Sequence, residues 1–386
     1  MSIHDQGEAG YSISVGIATT LSEKEAIYRL RYQIYVEEMS MNLTSVDHNN
    51  TFLYDELDNW SILLYAKAGL QLIGTIRINI GQLSEFPSDL AQFLSLNIFQ
   101  KFYEETDSPG QFAYCSKLMV SPYYRNTAAL YLLTARAYEI GCSKVQFCFG
   151  VCNIHLLRLY EQIGWRRLGQ TFTAPGYDGI LIPLFLLMDD IAHLRAVRSP
   201  LYRLACKRIR LNARTGEWVK SKIPELSINI HSQLISEDQL WRLLQKKFQH
   251  DPTQIVDILK GLSVESARKF VHCCGIIIKF KPGDYITLRG TTSHTLNILI
   301  IGKLFPFSNK VDSDNVLPGQ SFGISGLVGN PKDLADISAV TDTEILSISR
   351  LSFEKFRKIH EAAANKILHN IEITLNKNTK SLIAKT

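Results

Sequence analysis

Residues 116–165 read SKLMVSPYYRNTAALYLLTARAYEIGCSKVQFCFGVCNIHLLRLYEQIGW, and this stretch decides the fold. The apolar run Lys117–Val120 predicts a strand, Ala128–Ile140 a helix, and Lys144–Val151 a second strand. A closing helix follows from Asn153 and stops at Gly164, the residue that takes the left-handed conformation at least cost. Strand, helix, strand at these lengths predicts a parallel βαβ unit, with its strands expected to part just past Met119 and admit a ligand. Asn153, Leu156, Leu157 and Tyr160 stand at i, i+3, i+4 and i+7, so one helix face would carry an amide and a phenol among leucines. The plainer reading of the same residues is an α/β core with Asn153 as a cap and Tyr160 as packing.

At 386 residues the chain is long enough for two domains. Met1–Ser14 is polar and mixed in charge, unlike a signal peptide, and the longest apolar run, Gly179–Met188, is broken by Pro183 and too short to span a bilayer. These features predict a cytoplasmic protein with no membrane span. The 7 cysteines form no CxxC pair, so no metal site and no disulfide frame is expected. Net charge is +5, too little by itself to suggest nucleic acid. Arg195–Lys222 is basic throughout except for Glu217, which reads as a solvated face or linker, or as a dock for an acidic partner.

Val120-x-Pro122-x-x-Arg125, Asn153 and Tyr160-x-x-x-Gly164-Trp165 resemble the Gcn5-related N-acetyltransferase superfamily. The resemblance implies a backbone N–H at Val120 for the oxyanion and Tyr160 as proton donor to the leaving sulfur. It also implies a helix start at Arg125, Asn126, Thr127, Ala128 and Ala129 facing the thioester carrier. The usual glycines of that loop are absent, which puts a coenzyme A diphosphate in doubt and suits acyl carrier protein. His155 lies off the helix face and reads as a surface histidine.

Upstream, Ser22-x-x-Glu25 predicts a capping box for a helix running to about Met39, and Trp60–Lys67 with Leu70–Ile80 a hairpin around Ala68-Gly69. Arg31-Tyr32-x-x-Tyr35-Val36-Glu37, Asp55-x-x-Asp58-Asn59 and Gly74-Thr75-Ile76-Arg77 are similar to acyl-homoserine lactone synthases and N-acyl amino acid synthases. That likeness implies a substrate-binding set of Arg31, Asp58, Arg77, Lys117 and Asn153, with Asp55 acting through water as general base. The same charges also read as an ion-pair network joining helix to sheet. Leu53, Tyr114 and Lys117 replace acidic and basic residues of the lactone synthases, which argues against a homoserine lactone product. Gly169–Met188, with Pro175-Gly176-Tyr177-Asp178-Gly179 between two apolar runs, reads as a hairpin over an acyl tunnel.

Leu259-x-Gly261, Lys281-Pro282-Gly283-Asp284, Gly290, Gly302 and Leu317-Pro318-Gly319-Gln320-Ser321-Phe322-Gly323 punctuate short strands and resemble the cyclic-nucleotide-binding β-roll. Its ligand chemistry looks degenerate: after Phe322-Gly323, Ile324 replaces the ribose-binding glutamate, and Asp333 stands where an arginine would hold phosphate. A carboxylate about 4 Å from a phosphate costs roughly 4 kcal/mol at an effective dielectric near 20. The expected architecture is therefore an α/β acyltransferase fold over 1–200, a mixed twisted sheet flanked by helices. A basic linker over 201–250 follows, then a β-roll with carboxy-terminal helices over 251–386. The expected function is transfer of a long-chain acyl group from an acyl carrier protein or coenzyme A thioester to a small-molecule amine such as an amino acid. Acyl carrier protein would dock on the basic segment, and the roll would serve docking, regulation or homodimerisation. The rival is a non-catalytic adaptor whose two domains have both lost their chemistry.

Overall fold

A computed structural model describes residues 12–383 except 42, 44, 109, 175–178, 209–213, 224–229, 308–315, 330 and 331. Residues 1–11, the turn expected over Pro175–Asp178, and Arg210 of the basic run lie outside the described residues. So does the side chain of Ile324.

The first half is a sheet of strands β1 (Ile13–Ile17), β4 (Ile62–Ala68), β5 (Gln71–Gly81), β6 (Phe112–Val120), β7 (Phe147–Asn153), β9 (Leu181–Leu187) and β8 (Arg166–Arg167), in that spatial order. A separate two-stranded ribbon pairs β2 (Val46–Asp47) with β3 (Phe52–Leu53). Helices α1 (Leu21–Tyr32), α2 (Ser88–Phe93), α3 (Leu96–Thr106), α4 (Ala129–Gly141) and α5 (Leu157–Ile163) flank the sheet, with α6 (Ile191–Ala196), α7 (Tyr202–Arg208) and α8 (Arg214–Lys222) following. Thr20, not Ser22, caps α1, and its capping box closes on Glu23. The chain then continues as a π-helical turn over Gln33–Glu38.

Helix α4 crosses from β6 to β7, the one parallel pair of this sheet. It buries Ala129, Leu133, Ala137 and Gly141 at i, i+4 spacing, and Leu133 packs where Gly74 leaves room for it. Both sheet faces are covered, so β9 is apolar throughout rather than alternating. Leu201, Ala205, Val219 and Ile223, in the segment expected to be a linker, are buried against this half.

Helices α9 (Glu237–Phe248), α10 (Pro252–Ile255) and α11 (Val264–Cys274) lead into a roll of two sheets. One orders β10 (Gly275–Phe280), β16 (Thr343–Ser349), β12 (Thr295–Ile301) and β14 (Ser321–Phe322). The other orders β11 (Tyr285–Thr287), β15 (Asp336–Ala339) and β13 (Leu304–Phe307), and α12 (Arg350–Ile359) and α13 (Glu361–Ile383) close the chain. The two halves share a core: Leu157, Trp165 and Leu184 belong to the same buried cluster as Ile276, Ile286 and Ala339.

A buried ion pair fastens this seam. Arg167 Nε donates to Glu161 Oε1 at 2.8 Å, its Nη1 to the Ile277 carbonyl at 2.6 Å and its Nη2 to the Ile230 carbonyl at 3.1 Å. The second Glu161 oxygen accepts the Ser232 N–H at 2.9 Å. Burial opposes ionisation of Glu161, but Arg167 and these donors hold its carboxyl below the usual range.

Candidate functional site

Strands β6 and β7 pair only at Phe112–Phe147, Ala113–Cys148 and Tyr114–Phe149. Beyond these, β6 stays with β5 while β7 stays with β9, and a gap opens between them. The parting thus comes five residues earlier than the expected point past Met119. The cause is a bulge: Lys117 and Leu118 together oppose Ile76, and Lys117 has φ +52°. An extra residue with left-handed backbone bends a strand away from its neighbour.

The register also decides which way the amides of β6 face. Val120 lies opposite Gly74, and the next N–H, of Ser121, donates to the Ile73 carbonyl at 2.7 Å. Val120 is therefore a non-hydrogen-bonded pair, and its own N–H and carbonyl turn away from β5 into the gap. Arg125 Nε donates to that carbonyl at 3.1 Å.

Tyr160, on α5, lines an apolar cavity of about 40 Å³ with Ala113, Cys115, Cys148, Leu118 and Trp165. Burial pushes its phenol well above the ordinary range, with Cys152, Tyr35 and Cys115 adding to the effect, so it stays protonated. As built, the cavity has room for about three water-sized groups, and a long acyl chain requires it to extend. Asn153 does not share the helix face with Tyr160. It ends β7 opposite Leu181, and three residues of 3-10 helix separate it from α5.

On the other sheet face, Arg31 Nη1 donates to both Asp58 oxygens at 2.9 Å. Arg77 Nη1 lies 3.1 Å from Asp58 Oδ2 and also donates to Asp55, while its Nε donates to Ser116 Oγ at 2.9 Å. Lys117 Nζ, carried on the bulge, stands 3.6 Å from Asp55 Oδ2 and 5.2 Å from the Tyr35 ring centre. Asp55 caps the short helix Glu56–Trp60. Burial raises its carboxyl, but Arg77 and Lys117 outweigh this and hold it below the usual range. A carboxylate so held is a weak proton acceptor. Three cations and two carboxylates leave the cluster one positive charge in excess. Arg31 Nε and Nη2 are buried with no hydrogen-bond partner.

The helix-start loop is engaged within the fold. Arg125 pairs with Glu38 through two bonds of 2.7 and 2.8 Å, Asn126 has φ +74°, and α4 begins at Ala129, one residue after the start expected at Ala128. Ala128 occupies the cap position with no side-chain bond, and Thr127 Oγ1 accepts the Ala129 N–H at 3.3 Å. Within the basic segment, Lys222 pairs with Glu105 at 2.7 Å.

In the roll, Phe322 is buried and Gly323 has φ +63°. The Asp333 N–H donates to the Thr291 carbonyl, and its carbonyl accepts the Gly290 N–H, both at 2.8 Å. Asp333 shares a cavity of about 50 Å³ with Asn153, His155 and Gly179. His155 is a seam residue rather than a surface one: its ring lies 4.4 Å from His294 and its carbonyl accepts from Ser349 Oγ at 2.9 Å. Burial, with His294 and Arg350 adding, pushes it down to about 3. The Glu38, Glu161 and Arg167 contacts were not foreseen from sequence, since each joins elements far apart in the chain. Among the described residues no group of three or more His, Cys, Asp or Glu could hold a metal ion, and no helix is long and apolar enough to cross a membrane.

Residues 26–187 match the family model described as N-acyl amino acid synthase FeeM. Among solved structures, FeeM, an N-acyl amino acid synthase from uncultured soil microbes, is 14% identical, with 50% of this chain and 98% of that chain covered and a TM-score of 0.38. TofI, solved with an inhibitor and MTA, is 16% identical over 48% of this chain and 96% of its own, with a TM-score of 0.35. A putative cyclic nucleotide-binding protein from Geobacter metallireducens GS-15 is 17% identical over 37% of this chain and 97% of its own, with a TM-score of 0.30. No curated protein matches the chain. The family match over residues 26–187 supports N-acyl transfer as the activity of this part of the chain.

Proposed function

We propose that the chain transfers an acyl group from an acyl carrier protein or coenzyme A thioester to the amine of a small molecule such as an amino acid. The observation that carries this reading is the parting of β6 and β7 after Tyr114 and Phe149, with Tyr160 lining the cavity at that gap. The thioester carbonyl would lie in the gap with its oxygen toward the Val120 N–H. The neutral amine attacks the carbonyl carbon, a C–N bond forms and the C–S bond breaks. Tyr160 gives its proton to the departing sulfur and recovers one from the attacking nitrogen, so products are an amide and a thiol. This shuttle needs no carboxylate base, and Asp55 instead orients Arg77 and Lys117.

The excess positive charge beside Arg31 favours an acceptor with a carboxylate, as an amino acid has. With Arg125 engaged by Glu38 and the Val120 carbonyl, the loop offers no ready cradle for a diphosphate, which favours acyl carrier protein as donor. The basic segment within Arg195–Lys222 is the docking face this donor would use, and the roll would act as a regulatory or docking module.

The experiment is incubation of the full chain with fatty acyl thioesters of acyl carrier protein or coenzyme A and an amino acid pool, read by mass spectrometry. N-acyl amino acids are expected, and Tyr160→Phe should lower kcat by about 10²–10⁴. No amide from any donor, or an unchanged rate in Tyr160→Phe, removes the proposal.

A further inference from the structure

The face of α5 turned away from the gap meets the roll. Arg158, Leu159 and Gln162 on that face, with Lys355 and Phe356 of α12 and His360 at its carboxy-terminal cap, line a cavity of about 300 Å³. This is the lower end of the size range for small-molecule sites. No aspartate or glutamate is among its described lining residues.

Arg158 is a half-buried guanidinium without an acidic partner among the described residues. Its Nη1 donates to the Gly275 carbonyl at 3.5 Å, a long bond, and no carboxylate among the described residues is within ion-pair distance. The nearby Glu161 is taken by Arg167. Burial lowers the pKa of Arg158, the response of a cation whose counter-charge is missing. The opposite wall is apolar and aromatic: the Phe356 and His360 rings lie 4.7 Å apart, and Leu351 and Ile359 are 38% and 77% exposed beside them.

We propose that this cavity binds a small phosphate monoester, its dianion between Arg158 and Lys355 and its organic part against Phe356 and His360. A phosphate monoester carries about −1.5 to −2 near neutral pH, which two permanent cations match. A guanidinium fork and an ammonium point charge are both phosphate donors. Gln162, Gln233 and Ser352 supply neutral donors around the same space. The binding does not depend on the acyl-transfer reading, since it uses the opposite face of α5.

The test is calorimetric titration of the full chain with phenyl phosphate, a dianion on a flat ring, beside inorganic phosphate, phenol and succinate. Phenyl phosphate is expected to bind more tightly than inorganic phosphate, with phenol and succinate weaker still. Lys355→Gln and Arg158→Gln should each weaken it about tenfold, the size of one charge-assisted hydrogen bond. Arg136→Gln, on the exposed face of α4, should leave binding unchanged. If Arg158→Gln does not fold, Lys355→Gln at its exposed position still decides. Absence of binding at millimolar phenyl phosphate overturns the site, and so does equal binding by the Lys355→Gln protein. Succinate or phenol binding as tightly as phenyl phosphate overturns the monoester assignment.

Discussion

The Arg31–Asp58 cluster and the Arg158–Lys355 cavity both gather cations, but they treat charge differently. In the first, Arg31, Arg77 and Lys117 each face a carboxylate, and the bonds run through Asp58 and Asp55 in both directions. In the second, a half-buried guanidinium and an ammonium share a cavity with no carboxylate among its described lining residues. Paired charge can hold a helix to a sheet without outside help. Unpaired charge kept from water costs free energy until an anion arrives. Removing a charge should therefore weaken the fold in the first region and improve or spare it in the second.

The largest effect is expected at Asp58. Asp58→Ala leaves Arg31 and Arg77 buried without their shared partner and should cost about 3–5 kcal/mol in urea unfolding. Lys355→Gln should shift stability by no more than about 0.5 kcal/mol. Equal losses in the two proteins would break the contrast.

A second effect separates the regions by pH. The seam holds His155 beside His294 and His193 beside His231, and burial pushes both His155 and His193 down to about 3. A histidine with a depressed folded pKa stays neutral in the native state but takes a proton when unfolded. Its stabilisation is present above the unfolded value near 6.5 and is lost as pH falls toward the folded value. The expected slope is about 1.4 kcal/mol per pH unit for each histidine over that window. Asp55 and Glu161 have lowered carboxyl pKa values, so their contribution persists above the unfolded carboxylate range and fades only at more acid pH. His193→Leu should remove one histidine's share of the slope between pH 6 and 4, about 1.4 kcal/mol per pH unit, read from urea midpoints across pH. An unchanged slope would show that His193 titrates normally.

The smallest effect concerns the cavity beside Tyr160. Ala137→Leu would fill part of it and should favour shorter acyl chains, about fourfold per excluded methylene at 0.8 kcal/mol each. Product chain lengths by mass spectrometry check this, and phenyl phosphate binding behind α5 should not change. A coupled change in both would merge what are here two separate sites.

Much of this was legible in the chain itself. The strand–helix–strand order, the stop at Gly164 and the roll's glycine-punctuated strands follow from periodicity and turn chemistry, which are local. Arg31, Asp55, Asp58 and Arg77 were singled out by their likeness to the synthase pattern, with an ion-pair network as one of two readings, and the structure joins all four. Where the gap opens was not legible, since the bulge at Lys117 exists only in register with Ile76 of another strand. His155 read as a surface residue for the same reason: the roll that covers it begins more than a hundred residues later.

By itself the sequence determined the strand–helix–strand order around Tyr160, the hairpin before it and the glycine-punctuated strands of the roll, whereas the helices over 88–106 and the strand end at Asn153 were not legible. Tertiary structure alone decided that Val120 turns its N–H into the gap, that Glu38 engages Arg125, and that Arg158 lines a cavity without a carboxylate among its described residues. Local order follows from neighbours a few residues apart, whereas burial and charge pairing depend on which distant surfaces meet.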